Sequence, residues 1–322
     1  MSLPSRSDVH ISEPLTQMAI AWFQENPGVA GQVFPLIPVT KSLDAYHIWD
    51  LDDILRREAK KRAPGSPSAG ADFRIDNTTY KTHKYALHSD LPWDTLDESD
   101  DSLRLESNTT LALMKKVMME FEAVWAAANF LTGVWATDQT GAVDFTKWDV
   151  GGSTPIVDMR AAIRLVQKRT GFRPNTITFG ADVWDVIVDH TNFVDRVKAT
   201  NTSAPAVITR ELVAGILEVD RVLVAEMVEV TSVEGAAATT TDFIVDGEGV
   251  LISYAAAAPS TEVPSAGYTF ARTGRTVPNG SGVSVNRFDI DANEATRVEA
   301  QGEWDTKVTA PELGLFMADA IT

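Results

Sequence analysis

The sequence predicts an α+β fold, and three observations carry that prediction. One long helical seam runs through residues 103–131. Strand-like segments alternate with shorter helices from residue 155 onward. No period of 20 to 50 residues repeats, which excludes solenoids and propellers. At 322 residues the chain exceeds the roughly 250 to 300 at which a single core stops growing, so two lobes are expected. Its 44% hydrophobic and 23% charged content is that of a folded chain and argues against wholesale disorder.

Residues 1–43 read as an arm: polar up to Glu13, then a short amphipathic piece around LTQMAIAWF, then the proline-punctuated FPLIPVTK. Residues 44–88 read as a ribbon, with AYHIWDLDDILRRE running out, KKRAPGSPSAG turning and DFRIDNTTYKTHKYALHSD running back. A long two-stranded hairpin with mostly polar faces is marginal in water, so something must hold it, either a neighbouring lobe or the next copy of the chain. The helix follows, with Met114, Val117, Phe121, Val124, Ala128 and Leu131 at spacings of 3, 4, 3, 4 and 3. From Leu103 to Leu131 it would run about 43 Å and stop at Gly133. Too few heptads and the extra apolar Met118, Met119 and Trp125 point to burial in a lobe instead of a coiled coil.

Beyond residue 150 the pattern predicts a mixed lobe. TPIVDMRAAIRLVQKRTG is a helix with Pro155 in its first turn, NTITF a strand, and ADVWDVIVDH and TNFVDRVK helices. VITRELVAGIL adds a short helix, and RVLVAEMVEV, DFIVD and GVLISY read as strands, the last two joined by a turn at Gly247 to Gly249. TRVEAQGEWDTKVT reads as strands and PELGLFMADA as a final short helix or turn.

The composition excludes several function classes. With 28 basic against 45 acidic residues the net charge is −17, which opposes the phosphate contacts that drive nucleic-acid affinity but suits the wall of a DNA container. The absence of cysteine removes disulfides, thiolate nucleophiles and cysteine-held metals. The first twenty residues carry no basic start followed by an apolar run, and no stretch is long and apolar enough to span a membrane, so cytoplasmic synthesis is expected. His10, His47, His83, His88 and His190 form no HExxH, and no GxSxG, Walker-type or GxGxxG signature occurs in the required context. DIDANE, residues 289–294, begins like a calcium loop, yet it has Glu294 where glycine is needed and Ala300 where the closing glutamate belongs. No catalytic residue, metal or cofactor is expected.

Charge distribution is more telling. The ribbon tip carries Arg56, Arg57, Lys60, Lys61 and Arg62 against Glu58 alone, while residues 90–106 hold seven carboxylates and one arginine. Asp94, Asp97, Glu98, Asp100 and Asp101 lie within that run. A basic tip on one copy and this acidic stretch on the next would make a heterologous head-to-tail contact. The blander readings are a solubilising loop and an acidic helix entrance that complements the helix dipole.

The order of segments resembles a known family. YALHSDLP leading into the acidic run and long helix, NTITFGADVWDVIVDHTNFVDRVK, and GVLISYAAAAPSTEVPSAGYTFAR look like major capsid proteins of tailed bacteriophages with the Hong Kong 97-like fold. The resemblance covers about Val33 to Arg272 and contains no catalytic signature. It implies an N-terminal arm at 1–43 and an extended loop at 44–88. It further implies a peripheral domain at 89–150 holding the spine helix, an axial domain at 151–285, and a return to the peripheral domain over 286–322. It also implies hexamers and pentamers closing an icosahedral shell around double-stranded DNA in a virion assembled in the host cytoplasm. The expected partners are further copies, a portal, a separate scaffold because the loop begins too early for a fused one, and optionally a decoration protein. Lys60 or Lys61 lies where some relatives donate a covalent cross-link, but no acceptor matches, so none is expected. An encapsulin-type shell and, from another class, an acidic hydrolase using the carboxylate run are the alternatives.

Overall fold

The computed structural model describes residues 10–11, 15, 28–49, 55–62, 64–68, 70, 75–98, 102–200, 207–235, 238–261, 263–273 and 283–322. Two sheets with separate cores organise them. In the first, β1 (His10–Ile11), β13 (Val283–Ile290), β14 (Ala295–Val308), β12 (Gly267–Arg272) and β2 (Leu36–Val39) lie in that order. β5 (His83–Pro92) pairs along the opposite side of β14. The 14-residue β14 is therefore the spine of this sheet: β5 flanks one side from His83↔Trp304 to Pro92↔Ala295, while β13 and then β12 share the other.

Across this sheet lies the long helix, Ser102–Asn129, which we label α3 after α1 (Ala30–Val33) and α2 (Trp93–Glu98). Leu113, Met114, Val117, Phe121, Trp125 and Ala126 on its inner face pack with Val285, Val298, Ala300 and Trp304 from the sheet. Phe121 meets the Trp304 ring edge-on, 5.1 Å between centroids. Aromatic pairs in this geometry add to the stabilisation that burial alone provides.

The second sheet has the order β6 (Asp138–Thr140), β15 (Gly314–Ala318), β11 (Val250–Ser253), β7 (Thr176–Gly180) and β8 (Arg221–Ala225). α4 (Pro155–Thr170), α5 (Ala181–Asp189), α6 (Thr191–Thr200) and α7 (Arg210–Leu217) complete this lobe. α4 opens with Pro155 in its first turn and ends on Gly171 at φ +79°, a left-handed cap that glycine adopts without strain. Its buried Ile156, Met159, Ile163 and Val166 face a core with Phe179, Val183, Ile187 and Leu217. Thr209 caps α7 by accepting from the Leu212 N–H.

Several sequence expectations are corrected here. The tail around PELGLFMADA is not a helix: after a short 3₁₀ turn it forms β15, a central strand of the second lobe's sheet. Four of its five residues are buried, and a strand covered on both faces reads as a continuous apolar run, with no alternation to betray it. The expected split at residue 286 therefore does not hold through the tail, because β14 serves the first sheet and β15 the second. DFIVD and GVLISY are not a hairpin. β10 (Thr241–Phe243) pairs instead with β9 (Val228–Val230), and β11 lies between β15 and β7. DIDANE is the turn between β13 and β14.

Candidate assembly interface

The ribbon is shorter than expected. β3 (Leu43–Trp49) and β4 (Ile75–Lys81) pair antiparallel from Leu43↔Lys81 to Trp49↔Ile75, whereas residues 83–88 leave the hairpin and belong to β5. Its base is fixed by a small aromatic cluster. Tyr80 stacks on Phe270 of β12 at 4.4 Å, and Tyr46 lies against the same ring at 5.2 Å. Burial pushes the Tyr46 hydroxyl up to about 12. Polar ties reinforce the joint: the Lys81 N–H donates to Asp305 Oδ2 at 2.9 Å, and Thr82 Oγ1 donates to Glu303 Oε1 at 3.0 Å, itself paired with Arg272. Past Tyr46 and Tyr80 no described side chain of the ribbon is buried, although Leu55 lies beside Gly171 at the end of α4.

The basic tip is open to solvent. Arg56, Arg57, Lys60, Lys61 and Arg62 are exposed, and none forms an ion pair with a described carboxylate; Arg62 donates to the Ser66 carbonyl. Next to them, Leu55 is 49% exposed. The acidic run is divided. Asp90 forms a two-pronged bond with Arg297 at 2.6 and 2.7 Å, which holds its carboxyl below the ordinary range, and Glu106 binds Arg287 at 3.0 Å. Asp94, Asp97 and Glu98 stand exposed on α2, whereas Asp100 and Asp101 lie outside the described residues. Tip and acidic helix therefore do not satisfy each other within one chain.

Of the expected helix seam, Met114, Val117 and Phe121 are buried, Val124 is half-buried, and Ala128 and Leu131 are exposed. The true stripe continues through Trp125, Ala126, Asn129 and Phe130. A repeat close to 3.5 residues drifts by about 20° per heptad on a 3.6-residue helix, so the predicted seam turns off the core toward its C-terminal end. Leu131 also lies beyond the last helical residue, Asn129.

Sequence reasoning missed Glu122. This carboxylate is buried on α3, where Oε1 accepts from the Val29 N–H at 2.7 Å and the Ala30 N–H at 3.2 Å, and Oε2 accepts from Ala30 at 3.0 Å. It thereby satisfies the open N–H groups at the start of α1 and ties residues 28–34 to the long helix. Gly28 sits at φ +64°, and a Cβ there would come within 2.7 Å of Glu122 Oε2, so glycine permits the approach. Burial raises the carboxyl above its ordinary value, opposed by the two backbone donors.

One arrangement resembles a catalytic dyad. Ser153 Oγ lies 3.0 Å from His190 Nε2. The Asn192 N–H, however, donates to His190 Nδ1, which leaves the proton of the neutral ring on Nε2, pointing at the serine. Ser153 directs its own proton to the Val150 or Trp148 carbonyl. A base that donates to its nucleophile cannot activate it. Among the described residues no group of three or more His, Asp or Glu side chains is placed to hold a metal ion, and no helix is long and apolar enough to cross a membrane.

Two comparisons with known proteins bear on this arrangement. Solved structures share it over nearly the whole chain. A phage-related protein of Bordetella bronchiseptica is 19% identical, with 97% of this chain and 98% of that one covered and a TM-score of 0.75. The mature capsid of bacteriophage PhiM1 is 10% identical, with 90% and 86% covered and a TM-score of 0.54. The holo-SrpI encapsulin complex of Synechococcus elongatus is also 10% identical, with 100% and 94% covered and a TM-score of 0.51. The fold is the Hong Kong 97-like capsid fold. Residues 138–266 match the family model described as phage major capsid protein E. No curated protein matches the chain significantly.

Proposed function

We propose that this chain is the major coat subunit of a tailed phage, forming hexamers and pentamers of an icosahedral shell around double-stranded DNA. The observation that carries the reading is the ribbon: anchored at its root on Phe270, it presents five exposed cations for which no described residue of its own chain supplies a carboxylate. A subunit gains nothing from such a limb alone. Laid across a neighbour, the tip meets Asp94, Asp97 and Glu98, with Asp100 and Asp101 adjoining in sequence. Opposite potentials steer that encounter and fix its register. In domain terms, the first sheet with α3 is the peripheral domain and the second lobe the axial domain. The remaining net negative charge keeps the wall from trapping DNA during packing. A portal and a separate scaffold would complete the particle, assembled in the host cytoplasm. An encapsulin shell shares the fold, but the family match favours the coat, and nuclease-protected DNA inside purified particles distinguishes the two.

The test reverses Arg56, Arg57, Lys60, Lys61 and Arg62 to glutamate together. The variant should keep the circular dichroism of the parent and lose the fast-sedimenting particle fraction on a gradient. Unchanged particle yield would remove the tip from assembly.

A further inference from the structure

β5 is a ten-residue edge strand: among the described residues it pairs with β14 alone. The Trp93 N–H donates to the Glu294 carbonyl at 2.9 Å, which continues the β5–β14 register by one step. Ladder hydrogen bonds alternate along an antiparallel pair, so odd-numbered residues of β5 direct their backbone groups at β14. Lys84, Ala86, His88 and Asp90 direct theirs away from the sheet, toward no described partner. Lys84, Ala86 and His88 are exposed, and Leu87 between them is 38% exposed. A long open edge of this kind is a template for another strand, and proteins normally blunt it.

We infer that β5 pairs antiparallel with β5 of a second copy about a two-fold axis through Leu87. The sequence selects this occupant and register. With Leu87 facing Leu87, Lys84 of each copy lies opposite Asp90 of the other, and Ala86 opposite His88. Every outward N–H and C=O from Lys84 to Asp90 then meets a partner, and each Lys84 joins the Asp90–Arg297 pair. Moving the axis one residue to Ala86 sets Lys84 against His88. Moving it to His88 sets Lys84 against Pro92, which has no N–H to give. Only the Leu87 register matches both charges, and opposite charges directly across strands stabilise a sheet whereas like charges oppose it. The inference rests on the shell reading, because an icosahedral shell brings copies together about two-fold axes between its capsomers.

The chain has no cysteine, so a single engineered thiol can bridge only to another copy. Leu87→Cys is expected to form a disulfide-linked dimer in oxidised particles. Its yield should be about tenfold above that of Ser89→Cys, whose copies would stand about 13 Å apart against a limit near 7 Å between bridged Cα atoms. Ala86→Pro deletes one outward N–H and no hydrogen bond of the β5–β14 ladder. It should leave the unfolding midpoint in place while abolishing cross-linking through Leu87→Cys. Equal yields from the two cysteine variants, or cross-linking indifferent to Ala86→Pro, would overturn strand pairing and leave the shell reading standing. If the unaltered chain forms no particles, the shell reading fails, and the same cysteine pair compared on the concentrated soluble chain then decides strand pairing by itself.

Discussion

Glu122→Ala probes the joint between the arm and the long helix. The substitution removes the acceptor for the buried Val29 and Ala30 N–H groups, held at 2.7 and 3.0 Å. A buried donor left without a partner costs about 1–3 kcal/mol, so two cost about 2–6 kcal/mol. Relief from burying a carboxylate offsets part of this, leaving a net loss of about 2–4 kcal/mol. Glu122→Gln keeps one oxygen, and Oε1 already reaches both donors, so its cost should be less than half as large. The assay is denaturant unfolding of the assembly-incompetent subunit, combined with limited proteolysis around residues 28–34, which should become cleavable first in the alanine variant. The pH dependence has a definite sign. Because burial raises the folded carboxyl above its ordinary 4.5, the folded state holds the proton more tightly than the unfolded one. The stability that this proton confers is complete below about pH 4.5 and is lost as pH rises through the folded value. The advantage of the parent over Glu122→Gln should therefore shrink with rising pH in that window. Equal midpoints for parent and Glu122→Ala, or equal losses for the alanine and glutamine variants, would refute the acceptor role.

Two further predictions concern packing. Phe121→Ala should cost about 3–5 kcal/mol in denaturant unfolding, since the ring is buried against Trp304; a parent-like midpoint would take α3 out of the core. Gly267→Ala should lower stability and soluble yield, because the new Cβ would lie 2.4 Å from the Phe34 ring, an overlap that typically costs about 1–3 kcal/mol; parent-like thermal unfolding would show that Phe34 can move.

Much of the architecture was legible along the chain. The long helix shows because apolar residues recur every three or four positions from Met114 to Leu131, and α4 is bracketed by Pro155 and Gly171. The ribbon was recognisable from its polar strands and the Gly, Pro and Ser of its turn. Its root was not, since Phe270 lies 190 residues beyond Tyr80 in sequence. Spacing alone also misjudged the last third of the helix seam, because stepping by heptads departs from the true helical period.

Local patterns thus determined most element types, the tail strand β15 excepted, the acidic balance of the chain and the isolation of five cations on one loop. All of these depend on residues near one another in sequence. The tertiary structure decided which long-range partners meet. Glu122 reads as one more charge on a helix until it is found holding Val29 and Ala30, 93 and 92 residues away. Gly314–Ala318 reads as a tail until β11 and β6 close on both its edges. Lys84 and Asp90 look like ordinary surface charges until the pairing with β14 fixes which backbone edge faces outward. Sequence periodicity records which way a side chain points on its own element, but the partner that receives it is chosen only when distant segments pack.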